Sequence, residues 1–149
     1  MRTTVILNLK GGVAKTATAV NLAAILARVY RKRVLLVDAD SQCNATEFFG
    51  GDPAKGNLAD VLRHEADEGL FAAASIQNSN FPGVDLLCGA DELMDLDLTK
   101  VEIQSVRALV LREMVHRLAA QEKYDYCIVD CPPAFNAAST AALVAADDV

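Results

Sequence analysis

Residues 8–16 read Asn-Leu-Lys-Gly-Gly-Val-Ala-Lys-Thr, set between the apolar run Val5-Ile6-Leu7 and a helix-like stretch that continues to residue 30. A strand, a Gly-rich turn and a helix start in that order aim several backbone N–H groups and the positive end of a helix dipole at one point, where a triphosphate can sit. Lys15 is then placed to reach the β- and γ-phosphates, and the Thr16 hydroxyl to hold Mg²⁺. A plain turn between strand and helix would account for the glycines, but two lysines and a threonine beside them serve no packing purpose. Two further segments, Val37-Asp38-Ala39-Asp40-Ser41-Gln42 and Ile128-Val129-Asp130-Cys131-Pro132-Pro133, end apolar runs in carboxylates. Alone, Asp38 and Asp40 would read as helix capping or a solvated loop, and Asp130 as strand termination before the extended exit that Pro132-Pro133 forces. Beside a phosphate loop they are the acidic groups that a magnesium-bound triphosphate and an attacking water require.

The elements that must position these residues follow from hydrophobic patterning. Strands are expected over residues 3–7, 33–37, 83–87 and 126–129, and helices over 15–30, 103–121 and 136–146, with a shorter one over 57–64. In the long helix Leu111, Met114, Val115 and Leu118 fall at the spacing of one apolar face, which reads as core. Strands alternating with helices imply an α/β fold, a mostly parallel sheet with helices on both faces, whose carboxyl strand ends form the ligand crevice. Residues 50–53 are turn chemistry, residues 67–82 carry no clear pattern, and Asp147-Asp148-Val149 resembles the start of a further strand. Such a sheet would lack a covering layer there, so an incomplete domain, or a product shorter than its relatives, is expected across residues 1–149 as one unit.

The chain has 149 residues, 52% of them hydrophobic, and a formal net charge of −6. Its mean hydropathy is +0.21. That composition supports one domain with a sizeable core. No apolar run is long enough to cross a bilayer, and with the phosphate loop so near the first residue a cytoplasmic location is expected. The acidic balance excludes a broad basic face for nucleic acid, so DNA contact would need a local cluster, a partner chain or further sequence. Cys43, Cys88, Cys127 and Cys131 show no metal-binding spacing and read as small buried apolar residues. His64 and His116 read as surface residues, and Asp91, Glu92, Asp95 and Asp97 as a solvated face around a short helix.

Lys10 to Thr16, Asp38-Ala39-Asp40 and Asp130-Cys131-Pro132-Pro133 resemble the deviant Walker A, switch I and Walker B segments of the ParA/MinD family of P-loop ATPases, in the family's order and over essentially the whole chain. Asn44 and residues 57–62 suit its partition-protein branch. The resemblance implies a P-loop NTPase-like fold, ATP and Mg²⁺ as cofactors, and an ATP-dependent homodimer. Lys10, Gly11, Gly12, Val13, Ala14, Lys15, Thr16 and Ala17 would line the nucleotide. Lys10, Lys15 and Asp40 would act in hydrolysis, Lys10 by reaching across the dimer. Thr16, Asp38 and Asp130 would surround the metal. Non-specific DNA and a ParB-like stimulator are the implied partners, in plasmid or chromosome partitioning.

The sequence departs from that pattern at Ala14, where glycine is usual, at Ala17, where a second Thr or Ser is common, and at Ser41, where the family has proline. If residue 14 must take a positive φ, alanine costs about 1 kcal/mol there. Two rivals stand beside the partition ATPase: a MinD-like membrane-cycling regulator, which would require a C-terminal amphipathic helix, and a nucleotide-binding module without turnover, which the expected truncation, Ala14 and Ser41 favour.

Overall fold

The computed structural model describes residues 1–63, 75–98 and 101–149, and side chains for those up to 63, for 75–96 and for 108–149. A five-stranded sheet runs through it in the order β1-β5-β2-β4-β3. Its strands are β1 (Arg2–Ile6), β2 (Val34–Asp38), β3 (Gln77–Asn78), β4 (Val84–Leu87) and β5 (Tyr126–Asp130). β1, β5, β2 and β4 are parallel, and only the two-residue edge strand β3 runs against its neighbour.

β2 shows why the sheet has two covered faces. All five of its residues are buried, the pattern of a parallel strand with helices above and below. Val34 and Leu36 join Val84, Leu86 and Ile128 under α1 (Lys15–Arg28) and α2 (Asn44–Phe48). Leu35 and Val37 point the other way, into a cluster shared with α3 (Leu58–Arg63), α4 (Val101–Ala120) and α5 (Ala137–Ala145). Successive side chains along a strand alternate between faces, so one apolar run feeds two cores. The expected stripe of α4 is the part that packs: Leu111, Met114, Val115 and Leu118 are all buried. α5 begins with reciprocal capping, in which the Ser139 amide donates to Asn136 Oδ1 and the Asn136 amide to Ser139 Oγ, both at 2.8 Å.

The first helix stops at Arg28 rather than at residue 30. Arg31 adopts φ 55°, and the Tyr30 and Lys32 amides turn back to the carbonyls of Ile25 and Leu26. Two short elements, α2 and β3, are absent from the sequence reading. His64, residues 67–74 and the side chain of Asp97 lie outside the described residues. Cys88, Cys127 and Cys131 are buried as expected, but Cys43 is only half-buried, because it holds the left-handed position that opens α2. Asp147 and Asp148 lie along the free edge of β1: the Val5 amide donates to the Asp148 carbonyl at 2.9 Å, and Arg2 grips the Asp148 carboxylate with two N–H groups. His116 and the Asp91, Glu92 and Asp95 face are exposed. Among the described residues, no helix is long and apolar enough to cross a membrane.

Candidate functional site

Parallel strands bring the three motifs to one end of the sheet. In register, Ile6 of β1 lies beside Asp130 of β5, and Asp130 beside Asp38 of β2. The turn after β1 therefore leaves from the same edge as both aspartates. Backbone bonds lock these exits together: the Ala39 amide donates to the Asp130 carbonyl at 2.8 Å, and the Cys131 amide to the Ile6 carbonyl at 3.2 Å.

The loop over residues 7–14 is open. A Cβ at Gly11 or Gly12 would meet no heavy atom within 4 Å, so the space in front of the turn is free for a ligand. Gly12 has φ 71° and Ala14 φ 62°. Ala14 thus occupies the positive-φ position that alanine takes at a cost of about 1 kcal/mol, the less favourable of the two alternatives open to the sequence. Its carbonyl accepts from the Thr18 amide at 2.8 Å and starts α1. Asn8 Oδ1 accepts from the Lys10 amide at 2.9 Å, which shapes the loop's entrance. Lys15 Nζ donates to the Lys10 carbonyl at 3.1 Å, so the lysine lies across its own loop. Thr16 is half-buried on the first turn of α1, while Lys10, Val13 and Ala17 are exposed around the rim.

The aspartates differ sharply in environment. Asp38 is fully buried; its Oδ2 accepts from the Thr46 amide and hydroxyl, each at 2.8 Å, and its Oδ1 from the Asp40 amide at 3.1 Å. Burial pushes its carboxyl up, and those three donors oppose the rise. Asp40 is half-buried and accepts from the Gln42 amide at 3.0 Å. Asp130 is 1% exposed, yet neither carboxylate oxygen has a hydrogen-bond partner among the described residues. Burial is the main cause that pushes its carboxyl up to about 6. The Thr16 hydroxyl lies close enough to temper that rise without reaching hydrogen-bond geometry, Asp38 and Asp40 add repulsion, and Lys15 draws the other way. The five groups therefore share one electrostatic neighbourhood.

A buried carboxylate with no donor is a costly arrangement that a cation relieves. Mg²⁺ fits this donor set, because it binds through one or two carboxylates, a hydroxyl, phosphate oxygens and retained waters rather than an all-protein cage. No cluster of three or more His, Cys, Asp or Glu side chains poised for a metal exists among the described residues.

Two supporting residues escaped the sequence reading. Thr46 bonds Asp38 twice and accepts from the Gly89 amide at 2.8 Å, joining α2 to the end of β4. Gly89 must lack a side chain, since a Cβ there would lie 2.7 Å from the Asp40 carbonyl oxygen and 3.1 Å from Asp38 Cγ. The only trace of them in the sequence is a glycine after a strand and a threonine at short range from Asp38.

A family model described as an AAA domain matches residues 1–149. The chromosome partitioning protein ParA of Caulobacter vibrioides is 37% identical over 155 residues, covering 100% of this chain and 54% of that protein. The sporulation initiation inhibitor protein Soj of Bacillus subtilis is 38% identical over 148 residues, covering 97% and 54%. Among solved structures, a cobyrinic acid a,c-diamide synthase from Mycobacterium smegmatis with bound ATP analog and magnesium superposes with TM-score 0.81 and 31% identity, covering 100% of this chain and 58% of that one. A plasmid partition protein from Borrelia burgdorferi superposes with TM-score 0.81 and 26% identity, covering 98% and 62%. The chain thus spans about half the length of the relatives it matches. With the family model matched from first residue to last and the glycine loop leaving the carboxyl end of β1 beside those of β5 and β2, this chain belongs to the AAA-domain family and is ParA-like in sequence.

Proposed function

We propose that the chain is the nucleotide-binding unit of a Mg²⁺-dependent, ATP-hydrolysing switch that serves plasmid or chromosome partitioning through an ATP-bridged homodimer. The observation that carries this reading is the buried, partnerless carboxylate of Asp130, set beside Thr16 and Lys15 at the mouth of an open glycine turn. In this reading the loop amides of residues 11–15 hold the phosphates, and Lys15 exchanges a neutral carbonyl for charged phosphate oxygens, a stronger acceptor. Thr16 and Asp130 would hold Mg²⁺, whose charge would offset that of the phosphate oxygens. Asp40 orients the attacking water. Asp38, with both oxygens engaged, fixes the turn that carries Asp40 and adds negative charge near the metal. Lys10, exposed on the rim, reaches the nucleotide of a second protomer, where a cation stabilises charge developing at the transferred phosphoryl group. Non-specific DNA and a ParB-like stimulator are the partners proposed for the cycle.

Lys15→Ala is expected to abolish Mg²⁺-ATP binding in isothermal titration calorimetry, and binding at unchanged affinity would remove the loop from the reading. Lys10→Ala is expected to keep nucleotide binding but lose ATP-dependent dimerisation. An undiminished dimer in light scattering would refute the trans role.

A second reading, nucleotide binding without turnover, is favoured by the strained Ala14 turn. Binding with no phosphate release, even with DNA and a stimulator present, would select it.

A further inference from the structure

Charge in this chain is sharply segregated. Its first 37 residues hold seven of the 14 Lys and Arg and none of the 20 Asp and Glu. Two of those seven serve the phosphate loop. Four others, Arg28, Arg31, Lys32 and Arg33, stand together where α1 ends and β2 begins. That corner lies at the amino ends of the strands, about 21 Å along α1 from the loop at a helical rise of about 1.5 Å per residue. Arg33 pairs with Asp125 at 3.4 Å. Arg28, Arg31 and Lys32 have no ion pair among the described residues.

The same corner exposes apolar surface. Ile25, Val29 and Tyr30 are 48%, 66% and 63% exposed, and Ile25 and Val29 share a helix face at i, i+4 spacing. A cleft of about 680 Å³ shares Lys32 and Arg33 with this corner; Arg2, Tyr124, Tyr126 and the acidic Glu122 and Asp125 also line it, with Asp125 paired to Arg33. Arginine and tyrosine around exposed aliphatic side chains are the composition of a protein-binding hot spot.

We propose that this corner, Ile25, Arg28, Val29, Tyr30, Arg31 and Lys32, docks an acidic amphipathic segment of a partner protein. Three unpaired cations match two or three carboxylates, and the apolar trio matches the segment's other face. Duplex nucleic acid fits less well. It carries a charge about every 1.7 Å of its axis and would run off the corner onto the rest of the chain, which holds all 20 acidic residues. The corner is remote from the nucleotide loop, so this docking is independent of the function proposed above.

Arg31 supplies a clean probe. It sits at φ 55°, the helix-ending conformation that glycine takes without strain. Arg31→Gly therefore removes a cation while easing the backbone, and a loss of binding cannot be attributed to unfolding. Fluorescence anisotropy would compare a short labelled peptide of Glu and Leu, its Gln and Leu counterpart, and a short DNA duplex, each at low and high salt. The acidic peptide is expected to bind, at least about tenfold more tightly than the neutral one, with affinity falling as salt screens the charges. Arg31→Gly is expected to weaken it about threefold, and the doubles Arg28→Ser/Lys32→Ser and Val29→Ser/Tyr30→Ser about tenfold each, with Mg²⁺-ATP binding unchanged throughout. The proposal is overturned if the neutral peptide binds equally well, if the acidic peptide does not bind, or if the duplex binds more tightly and loses affinity on the same substitutions.

Discussion

Asp130→Asn is expected to make the ligand-free protein more stable while abolishing the proposed metal site. An unfolded aspartate titrates near ~3.9, and burial holds the native Asp130 carboxyl at about 6. The difference is about 2 units, and at about 1.36 kcal/mol per unit the charged side chain costs the native state about 3 kcal/mol. The sign follows from proton binding. Between pH 4 and 6, as an order-of-magnitude window, the native state holds a proton that the unfolded chain has released, so stability falls as pH rises through that window and the full cost applies above it. Asparagine carries no charge to desolvate but leaves a polar amide in the same place, so a gain of about 2 kcal/mol remains above pH 7. Urea denaturation of both proteins without nucleotide or Mg²⁺, at pH 7.5 and again near pH 4, reads this directly. The gain should be present at the higher pH and nearly absent at the lower. Calorimetry with Mg²⁺-ATP should show lost metal dependence in the variant. In the wild type, Mg²⁺ affinity should weaken as pH falls below about 6, where a proton competes for the carboxylate. Equal stability of the two proteins at pH 7.5, or a variant less stable there, would refute the claim that Asp130 is a buried charge awaiting a cation.

Ala14→Gly should stabilise the chain by about 0.5–1 kcal/mol, since relief of the φ 62° strain exceeds the added freedom of the unfolded glycine; a drop in the urea midpoint would show that the turn is not strained. Thr46→Val should cost about 2–3 kcal/mol, because the buried Asp38 carboxylate loses a hydroxyl donor and the Gly89 amide loses its acceptor. A change under about 0.5 kcal/mol in the same assay would mean that the junction holds without them.

Local pattern made most of the scaffold legible. β2 is five consecutive buried residues, which only a two-sided parallel sheet requires, and the α4 stripe announces its period. The glycine turn between β1 and α1 is legible because lysines and threonine stand where packing gives them no purpose. α2 and β3 were not legible. α2 is five residues long and opens on a left-handed cysteine rather than a capping side chain, and β3 is two residues held by the hairpin bonds of Ser79. The roles of Thr46 and Gly89 were hidden for another reason. Both act on Asp38 and Asp40 through contacts between α2, β2 and β4, and sequence spacing cannot show that a side chain at Gly89 would lie 2.7 Å from the Asp40 carbonyl oxygen.

The contrast between Asp38 and Asp130 is the physical centre of the site. They are register partners at the same level of adjacent strands, both buried and both destabilised by burial, yet one has three hydrogen-bond donors and the other none among the described residues. A sheet that satisfied both would have no use for a cation, and one that satisfied neither would carry two uncompensated charges. Holding Asp38 with Thr46 and the Asp40 amide keeps one charge affordable and leaves one demand for external positive charge, facing Thr16 and Lys15. The same bonds tie that demand to the segment over residues 40–46, whose Ala39 end is fastened to the Asp130 carbonyl. In the metal site proposed above, movement of this segment would change the donors around Asp38 and, through repulsion between the two carboxylates, the affinity for a cation. By reciprocity, a cation bound there would favour one arrangement of the segment. That coupling needs no hinge or lid, only a turn held by three hydrogen bonds beside a carboxylate that has none.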